Sequence, residues 1–322
     1  ILLANLLMFF LIYLAFSKFG KIKLGGADAK PDFSRISWFS MLFSAGLGIG
    51  LLFYGVAEPI YHFNDNPFVD NTDTIAAAKS AMGITFYHYG IQAWSIYATV
   101  GLALAFFTFN LKLPLTIRSI FYPLLGDKIY GRWGDLIDII SVIATVVGLA
   151  TSLGLGAQQV NAGLEYLFGI GYSREAQMVI IVVITALATF SLLAGLDKGI
   201  RRLSEVNMGL AMVLMVFVLA IGPTAFLMDS FVQNLGYYID NFFKIGLWTE
   251  SFVGVKDDSN WQNIWTVFYY AWWIAWSPFV GIFIARVSKG RTITEFILGV
   301  VLVPSLLTFL WMSIFGGSAL YF

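Results

Sequence analysis

Residues 261–285 read WQNIWTVFYYAWWIAWSPFVGIFIA and include no Asp, Glu, Lys or Arg. An uncharged apolar stretch of about 20 residues is long enough to cross a bilayer as a helix. The whole chain has the same character, since 59% of its 322 residues are hydrophobic and 12% are charged. Soluble domains are about 25% charged, and so few charges would leave most of a soluble surface apolar. The composition therefore predicts an integral membrane protein.

Net charge and cysteine content narrow the possible functions. The 19 Lys and Arg residues balance the 19 Asp and Glu residues, so we expect no nucleic-acid partner. The chain has no cysteine, which excludes disulfides, thiolate metal sites and cysteine nucleophiles. Because it begins at Ile1, inside an apolar run without a Met, we expect it to be a piece of a longer protein.

Eight stretches of the sequence are apolar enough to be membrane spans, although the first is short. Each is predicted to be a helix, because the bilayer core offers no partner for unpaired backbone N–H and C=O groups. The stretches are residues 1–17, 38–63, 80–109, 137–157, 176–196, 206–228, 261–285 and 296–320. The predicted fold class is an all-α integral membrane protein built as a multi-span helical bundle.

Basic residues alternate along the chain as expected for connections on two sides of a membrane. Of the 19, 15 fall in four connections, which are residues 18–37, 110–136, 197–205 and 286–295. The other four fall in the alternate connections, which are residues 64–79, 158–175 and 229–260. Cytoplasmic loops are enriched in Lys and Arg. The first group is therefore predicted to be cytoplasmic and the second external, in a multi-pass protein of the inner (plasma) membrane.

Two connections are predicted to have structure of their own. Residues 110–136 contain two prolines and several glycines and are expected to form a structured cytoplasmic connection. Residues 229–260 are expected to form an amphipathic helix along the outer interface, or else a packed external loop. The apolar positions that favour the helix are Phe231, Leu235, Tyr238, Phe242 and Ile245.

The glycine-rich sequence SAGLGIG occupies residues 44–50, near the middle of the span predicted for 38–63. Each glycine in a helix interior costs about 1 kcal/mol relative to Ala, so Gly46, Gly48 and Gly50 mark a place where the helix is expected to unwind. Unwound backbone at this depth is tolerated where it lines a cavity, and its free N–H and C=O groups then contact a ligand. Close packing of helices across small residues is an equally good interpretation.

Three tryptophans, Trp272, Trp273 and Trp276, lie deep in the span 261–285. Trp273 is roughly 20 Å along a helix from the next basic residue, which is too deep for the usual belt of tryptophans at a membrane surface. Trp272 and Trp276 share one helix face at a spacing of i, i+4. Pro278 is expected to break the helix just after them.

A second aromatic cluster lies in the span 80–109, where residues 88–97 read HYGIQAWSIY. Trp94 and Tyr97 share a helix face at i, i+3, and Tyr89 lies one turn before Trp94. The sequence places no acidic residue beside either cluster. Aromatic faces bind a quaternary ammonium group through their quadrupole, and a cage without a carboxylate suits a zwitterion. The alternative is an aromatic packing seam with no ligand.

Ionisable groups are rare inside the predicted spans. Glu58 lies 20 residues after Trp38, about 30 Å along a straight helix, so we expect it at the outer headgroup level as an anchor of the helix end. His88 is expected to be a structural hydrogen-bonding residue. No nucleophile with a base and no metal-ligating set is evident, so an enzyme is not predicted.

The glycine and tryptophan motifs are those of a known family. The sequence AGLGIG of residues 45–50, followed by Glu58-Pro59, resembles the third helix of the betaine/choline/carnitine transporter family. The sequence WWIAWSPFVG of residues 272–281, continuing to ARVSKGRT of residues 285–292, resembles the signature of its eighth helix. The resemblance covers the whole chain, which is similar to helices two to nine of the family.

The resemblance implies an architecture. Family members have twelve helices with a five-plus-five inverted repeat, of which this chain would hold about eight helices and so be incomplete. Residues 1–17 would end a helix before the core, and residues 38–228 would form the first repeat, with 110–136 as its cytoplasmic connection. Residues 229–260 would be the external amphipathic region and 261–322 the start of the second repeat. Family members form homotrimers in the lipid bilayer.

The resemblance also implies site residues. The substrate site would be formed by the aromatic cage and the glycine break, namely Tyr89, Trp94, Tyr97, Trp272, Trp273, Trp276, Gly46, Leu47, Gly48 and Gly50. Phe283 would be a cytoplasmic-side gate. A sodium ion, the possible coupling ion, would be bound by residues drawn from Ala45, Leu47, Thr145 and Phe279. No other cofactor is implied.

Two positions refine the expected function. Family members that favour choline or exchange often carry Asp at the last glycine of the motif, so Gly50 favours a zwitterion such as glycine betaine. At the position of the second Thr of the family's sodium site this chain has Leu149. In this respect its ion site departs from that of the sodium-coupled members. The expected function is import of a quaternary ammonium osmolyte coupled to sodium. Sodium-independent exchange, choline or carnitine transport and a cation channel are the alternatives.

Overall fold

The computed structural model describes residues 1–46, 48–195, 199–252 and 260–322. They form an assembly of helices in which the one β-type contact is an antiparallel bridge between Lys23 and Thr292. The main helices are α1 Leu2–Phe16, α2 Arg35–Gly46, α3 Ile49–Asn64, α4 Thr74–Tyr89, α5 Ile91–Phe109, α6 Arg132–Phe168, α7 Arg174–Leu193, α8 Arg201–Ile221, α9 Thr224–Asp240, α10 Phe268–Val287 and α11 Ile293–Tyr321.

Most of these helices are long and apolar enough to cross a membrane. Six candidate spans are present among the described residues, and the bent pair α2–α3 makes a seventh. Helix α1 is apolar but shorter. The six are Thr74–Phe109, Arg132–Phe168, Arg174–Leu193, Arg201–Ile221, Asn263–Val287 and Ile293–Tyr321. Each predicted stretch thus corresponds to an apolar helix or helix pair, and the predicted all-α, multi-span fold class is confirmed.

The second predicted span is broken at its glycine motif. Helix α2 ends at Gly46, α3 begins at Ile49, and the two helices are inclined at 62° to each other. Gly48 precedes α3 in an extended conformation, and Leu47 lies outside the described residues. The break carries backbone groups into the interior of the bundle, which positions them for the site described below.

The expected break at Pro278 does not occur, because α10 continues through it to Val287. A proline has no N–H to donate to the carbonyl four residues earlier, which here belongs to Ile274. The hydroxyl of Ser277 donates to that carbonyl at 2.8 Å instead. The neighbouring serine therefore replaces the missing backbone hydrogen bond, and the helix is not interrupted. A short π-helical segment, Asn263–Val267, leads into α10.

The span predicted for residues 206–228 ends earlier, at Ile221, and α9 begins at Thr224. Helix α9 packs against α4 and α11 through a buried face. From this face Tyr238 donates a hydrogen bond to the Gln92 side chain at 2.7 Å. The outer interface helix predicted for residues 229–260 therefore corresponds to α9, which starts before that range.

The connection 110–136 consists of short helical turns between α5 and α6. Arg118 links these turns to the start of α6, because its guanidinium lies 2.6 Å from Asp138 and 3.0 Å from Asp135. The hydrogen bond that Arg118 donates to Asp138, followed by the negative charges of Asp138 and Asp135, raises the pKa of Arg118. The connection is thus held against the first turns of α6.

Helix α5 lies at the centre of the packed core. It contacts α1, α10 and α11 along its length, and most of its residues from Gln92 to Ala105 are buried. Because α10 lies directly against α5, the two aromatic clusters of the sequence face each other. The broken pair α2–α3 lies beside them, so the three motifs meet in one region.

Candidate functional site

A cavity of about 410 Å³ lies where the helix break meets α5, α8 and α10. Its volume is within the range of small-molecule sites, which is about 300–1,000 Å³. Its lining consists of small, hydroxyl, aliphatic and aromatic residues. These residues are Ser44, Ala45, Gly46, Gly48, Ile49, Gly50, Tyr89, Tyr97, Ser152, Ile200, Ser204, Tyr269, Trp272, Trp273, Trp276, Phe279, Val280 and Phe283.

Aromatic rings from α4, α5 and α10 form one wall of the cavity. The rings of Tyr97 and Trp273 are closest, with their centroids 4.5 Å apart and their planes at 46°. Tyr89 lies edge-on to Trp273, at 6.4 Å, and to Tyr269, at 5.2 Å. Edge-on pairs leave π faces open to a ligand, which parallel stacks would cover.

Trp94 lies behind this wall and not on the cavity surface. It is fully buried, edge-on to Tyr97 at 5.8 Å and inclined to Trp273 at 5.6 Å. On its other side it touches Gly46, where any Cβ atom would overlap its ring. The structure therefore places Trp94 next to the other predicted cage residues, where it supports the rings that line the cavity.

The three glycines of the motif have different surroundings. Gly46 is overlapped by Trp94, and a Cβ on Gly50 would lie 3.2 Å from the Tyr89 ring, whereas Gly48 faces open space. Tyr89 donates a hydrogen bond to the Gly50 carbonyl at 3.4 Å. The structure thus combines the two interpretations of the sequence, since the motif breaks the helix and also lets aromatic rings approach the backbone.

The break also presents the N-terminus of α3 to the cavity. The first N–H groups of a helix have no partner within the helix, and the helix dipole favours a negative group there. Ile49 and Gly50 are the first residues of α3, and both line the cavity. An anionic group in the cavity would therefore meet backbone donors at this end.

The remaining predicted residues of α10 continue the lining toward its C-terminal end. Trp272 and Trp276 both face the cavity, and Phe283 lies two turns beyond Trp276 at its far end. The indole of Trp276 packs against Gly148 of α6, where a Cβ would lie 2.9 Å from its Nε1 atom. Trp276 of the predicted cage is therefore in contact with α6.

The lining contains no Asp, Glu, Lys or Arg. A charged ligand would therefore lose its hydration without an opposite charge from these residues, at a cost of several kcal/mol. A ligand with internally balanced charges avoids most of that cost, and aromatic faces still attract its cationic end. The electrostatics of the lining thus fit a zwitterion.

The residues predicted for sodium are only partly together. Ala45 and Phe279 line the cavity. Thr145 lies on α6 outside the lining, and its hydroxyl donates to a carbonyl one turn earlier at 2.8 Å. Leu47 lies outside the described residues. Of the three described residues, two line the same cavity.

The sequence analysis missed Tyr269, which lines the cavity and touches Tyr89 and Trp272. A helical periodicity of i, i+4 places it on the same face as Trp273, so its position was available from the spacing. It was overlooked because the tryptophans dominated that stretch.

Glu58 lies closer to the cavity than the sequence suggests. It is fully buried, and one of its carboxylate oxygens lies 3.1 Å from His62 Nε2 and 2.6 Å from His88 Nδ1. His88 in turn stacks on Tyr269 at 4.8 Å. An acidic residue is thus one ring away from the cavity wall, contrary to the expectation that no acid lies near.

Comparisons with known proteins place the chain in a family. A family model described as BCCT, betaine/carnitine/choline family transporter, matches residues 1–322. The chain is 52% identical over 323 residues to the glycine betaine transporter OpuD of Bacillus subtilis, covering 99% of this chain and 62% of that protein. It is 48% identical over 316 residues to a glycine betaine transporter of Acinetobacter baylyi, covering 97% of this chain and 47% of that protein.

A relative with another substrate in its name is similarly close. The high-affinity choline transport protein of Escherichia coli is 47% identical over 321 residues, covering 100% of this chain and 47% of that protein. The chain therefore spans only 47% to 62% of the length of these relatives. Since the family model covers the whole chain, the chain belongs to the betaine/carnitine/choline transporter family and is a multi-pass membrane protein of a family of transporters, not enzymes.

Proposed function

We propose that the protein imports a quaternary ammonium osmolyte, most simply glycine betaine, by alternating access through the cavity at the helix break. The observation that carries this proposal is the lining itself, which combines several π faces with helix N–H donors and contains no charged side chain. The ammonium end would lie against Tyr97 and Trp273, and the carboxylate at the start of α3. The names of OpuD and the Acinetobacter protein point to the same substrate.

The experiment is uptake of radiolabelled glycine betaine by proteoliposomes containing the full-length protein. We expect Trp273→Phe to weaken binding moderately and Trp273→Leu to weaken it at least tenfold, because a desolvated cation–π contact is worth about 2 kcal/mol. Trp133→Leu is the matched control, since Trp133 is 61% exposed and far from the lining.

Equal losses in Trp273→Phe and Trp273→Leu would show that the ring acts by packing alone. No loss in either variant would refute the cage. A choline and carnitine series in the same vesicles would identify the preferred headgroup.

Sodium coupling is part of this proposal and rests on the family resemblance together with Ala45 and Phe279 in the lining. Replacing external sodium by potassium should abolish concentrative uptake. A sodium-independent exchanger is the second candidate, and two observations favour it. Thr145 is outside the lining, and Leu149, at the position of the second family Thr, is 44% exposed. Uptake that persists in potassium and requires internal substrate would establish exchange.

A homotrimer is the proposed assembly, with α9 at the contact between subunits. The side of α9 turned away from α4 and α11 exposes Val232 and Ile239. Cross-linking of a cysteine placed at position 232 in the membrane should yield trimers, while a cysteine at the buried position 234 should not. Only monomers in both cases would refute the trimer.

A further inference from the structure

Three side chains with metal-binding atoms lie together in a part of the bundle that the proposed function does not use. They are Glu58 and His62, one turn apart on α3, and His88 on α4. One atom from each lies within 4.8 Å of the other two. All three residues are fully buried, so the cluster is an internal feature and not a chance grouping of surface charges.

The hydrogen bonds of the cluster fix which atoms face its centre. Glu58 Oε1 lies 3.1 Å from His62 Nε2 and 2.6 Å from His88 Nδ1. The other nitrogen of His88, Nε2, lies 2.9 Å from the Thr266 hydroxyl. A hydrogen bond on the outer nitrogen orients a metal-ligating histidine, so Thr266 holds Nδ1 of His88 toward Glu58.

Two further polar atoms of the cluster have no hydrogen-bond partner among the described residues. They are Glu58 Oε2 and His62 Nδ1. Glu58 also has no Lys or Arg as an ion-pair partner among those residues, since its ion pairs are with the two histidines. A buried carboxylate without a permanent cation is costly, and a bound cation would offset that cost.

The donor set is one that borderline metals prefer. Two imidazoles and a carboxylate bind catalytic zinc in several enzymes, with a fourth position left for water. Ligand atoms about a tetrahedral zinc lie roughly 3.3 Å apart, from metal–ligand distances of about 2.0–2.2 Å. The distances from Glu58 of 2.6 and 3.1 Å approach this value, and all three ligand atoms lie within 4.8 Å of one another.

The rest of the chain offers no competing site of this kind. It has two histidines and no cysteine, and both histidines are in the cluster. The cluster is covered by the indoles of Trp261 and Trp265, whose centroids lie 5.2 and 4.6 Å from the His62 ring. Trp261 is 6% exposed and packs against Trp248 and Phe68, so the cluster is well shielded from the surface.

We propose that Glu58, His62 and His88 form a binding site for a divalent transition-metal ion, with zinc as the ion that fits best. The bound ion would link α3 to α4, next to Tyr269 on the cavity wall. The site is separate from the substrate cavity, because none of its three ligands lines that cavity.

The test is a zinc titration of the full-length protein, purified without a histidine tag and followed by calorimetry. We expect one equivalent of zinc to bind, and His62→Gln and His88→Gln each to weaken binding at least 100-fold. Thr266→Val, which removes only the hydrogen bond to His88, should weaken it about 10- to 100-fold. Asp65→Asn is the matched control, because Asp65 is exposed and three residues from His62.

A second measurement keeps the test decisive where a histidine variant does not fold. Zinc should raise the thermal unfolding midpoint of the wild-type protein, since a ligand of the native state stabilises it, and magnesium should not. A smaller zinc shift in Thr266→Val supports the site. Absence of saturable zinc binding in the wild type, or equal binding in wild type and both histidine variants, overturns the proposal.

Discussion

The indole of Trp94 occupies the space in which a Cβ atom on Gly46 would lie. Gly46 is the last residue of α2 and Trp94 belongs to α5. The absence of a side chain at Gly46 therefore lets α2 approach α5 closely enough to close the cavity on that side.

The first prediction concerns this contact. Gly46→Ala should displace either the indole or α2, and overpacking of this kind costs about 1–3 kcal/mol. Because Trp94 supports Tyr97 and Trp273, we expect glycine betaine binding to weaken about tenfold, as measured by quenching of tryptophan fluorescence. Gly209→Ala is the control, since nothing lies within 4 Å of its added Cβ and Gly209 does not line the cavity. Equal effects of both substitutions would show that the indole contact is not responsible.

The second prediction concerns the uninterrupted α10. Ser277→Ala removes the donor to the Ile274 carbonyl and should lower the free energy of unfolding by about 1 kcal/mol. In a Pro278→Ala background, the new backbone N–H should satisfy that carbonyl, so the same serine substitution should cost less. A double-mutant cycle of unfolding in detergent micelles measures the difference. A coupling energy of zero would mean that Ser277 does not replace the missing hydrogen bond.

The third prediction concerns substrate charge. Gly50→Asp places a carboxylate in a lining without charges, so it should attract choline and repel the carboxylate of betaine. We expect the ratio of choline to betaine affinity to rise at least tenfold in competition uptake assays. Gly50→Asn, of the same size but uncharged, should reduce the affinity for both substrates without changing their ratio. The same ratio in the Asp and Asn variants would argue against a substrate close to Gly50.

The fourth prediction concerns the connection between α10 and α11. The Arg291 guanidinium lies 4.7 Å from the Trp38 ring centroid and donates a 2.8 Å hydrogen bond to the Phe33 carbonyl. Burial lowers the pKa of Arg291, so the desolvation of its charge offsets part of what these two contacts contribute. Arg291→Met should lower the free energy of unfolding by about 1–2 kcal/mol, because the lost cation–π contact and charged hydrogen bond outweigh the relieved desolvation.

Arg286→Met is the control for this prediction, because Arg286 is exposed. It should change the free energy of unfolding by less than about 0.5 kcal/mol. A thermal unfolding series in one detergent gives both values. Similar destabilisation by the two substitutions would indicate an effect of net charge and not of the Trp38 contact.

Much of the fold could be predicted because membrane helices carry a strong local signal. The run 261–285 and its counterparts had only to be apolar and uncharged, and each appears as a helix or a helix pair. The break at Gly46–Gly50 could also be predicted, since glycine preference is a local property. The continuation through Pro278 could not, because it depends on whether the Ser277 hydroxyl turns back to Ile274.

The site was predictable where helical spacing decides it and not where helices from different parts of the chain meet. Trp272, Trp273 and Trp276 were found from their depth and spacing. The position of Trp94 behind Tyr97 depends on the contact between α2 and α5, which no local pattern specifies. The nearness of Glu58 to the cavity wall could not be predicted, because it depends on His88 of α4 lying between Glu58 and Tyr269 of α10.

The bend between α2 and α3 has a thermodynamic consequence. Helix α2 packs on α8 and α3 packs on α4, while both also contact α11, so the two halves of one span have partly different neighbours. A molecule that contacts both Gly46 and Gly50 would bind with a free energy that depends on the angle between these halves. Ligand binding and the helix angle would then be coupled, so that each influences the other equally. A substrate would shift the population of angles only to the extent that it binds one angle more tightly than another.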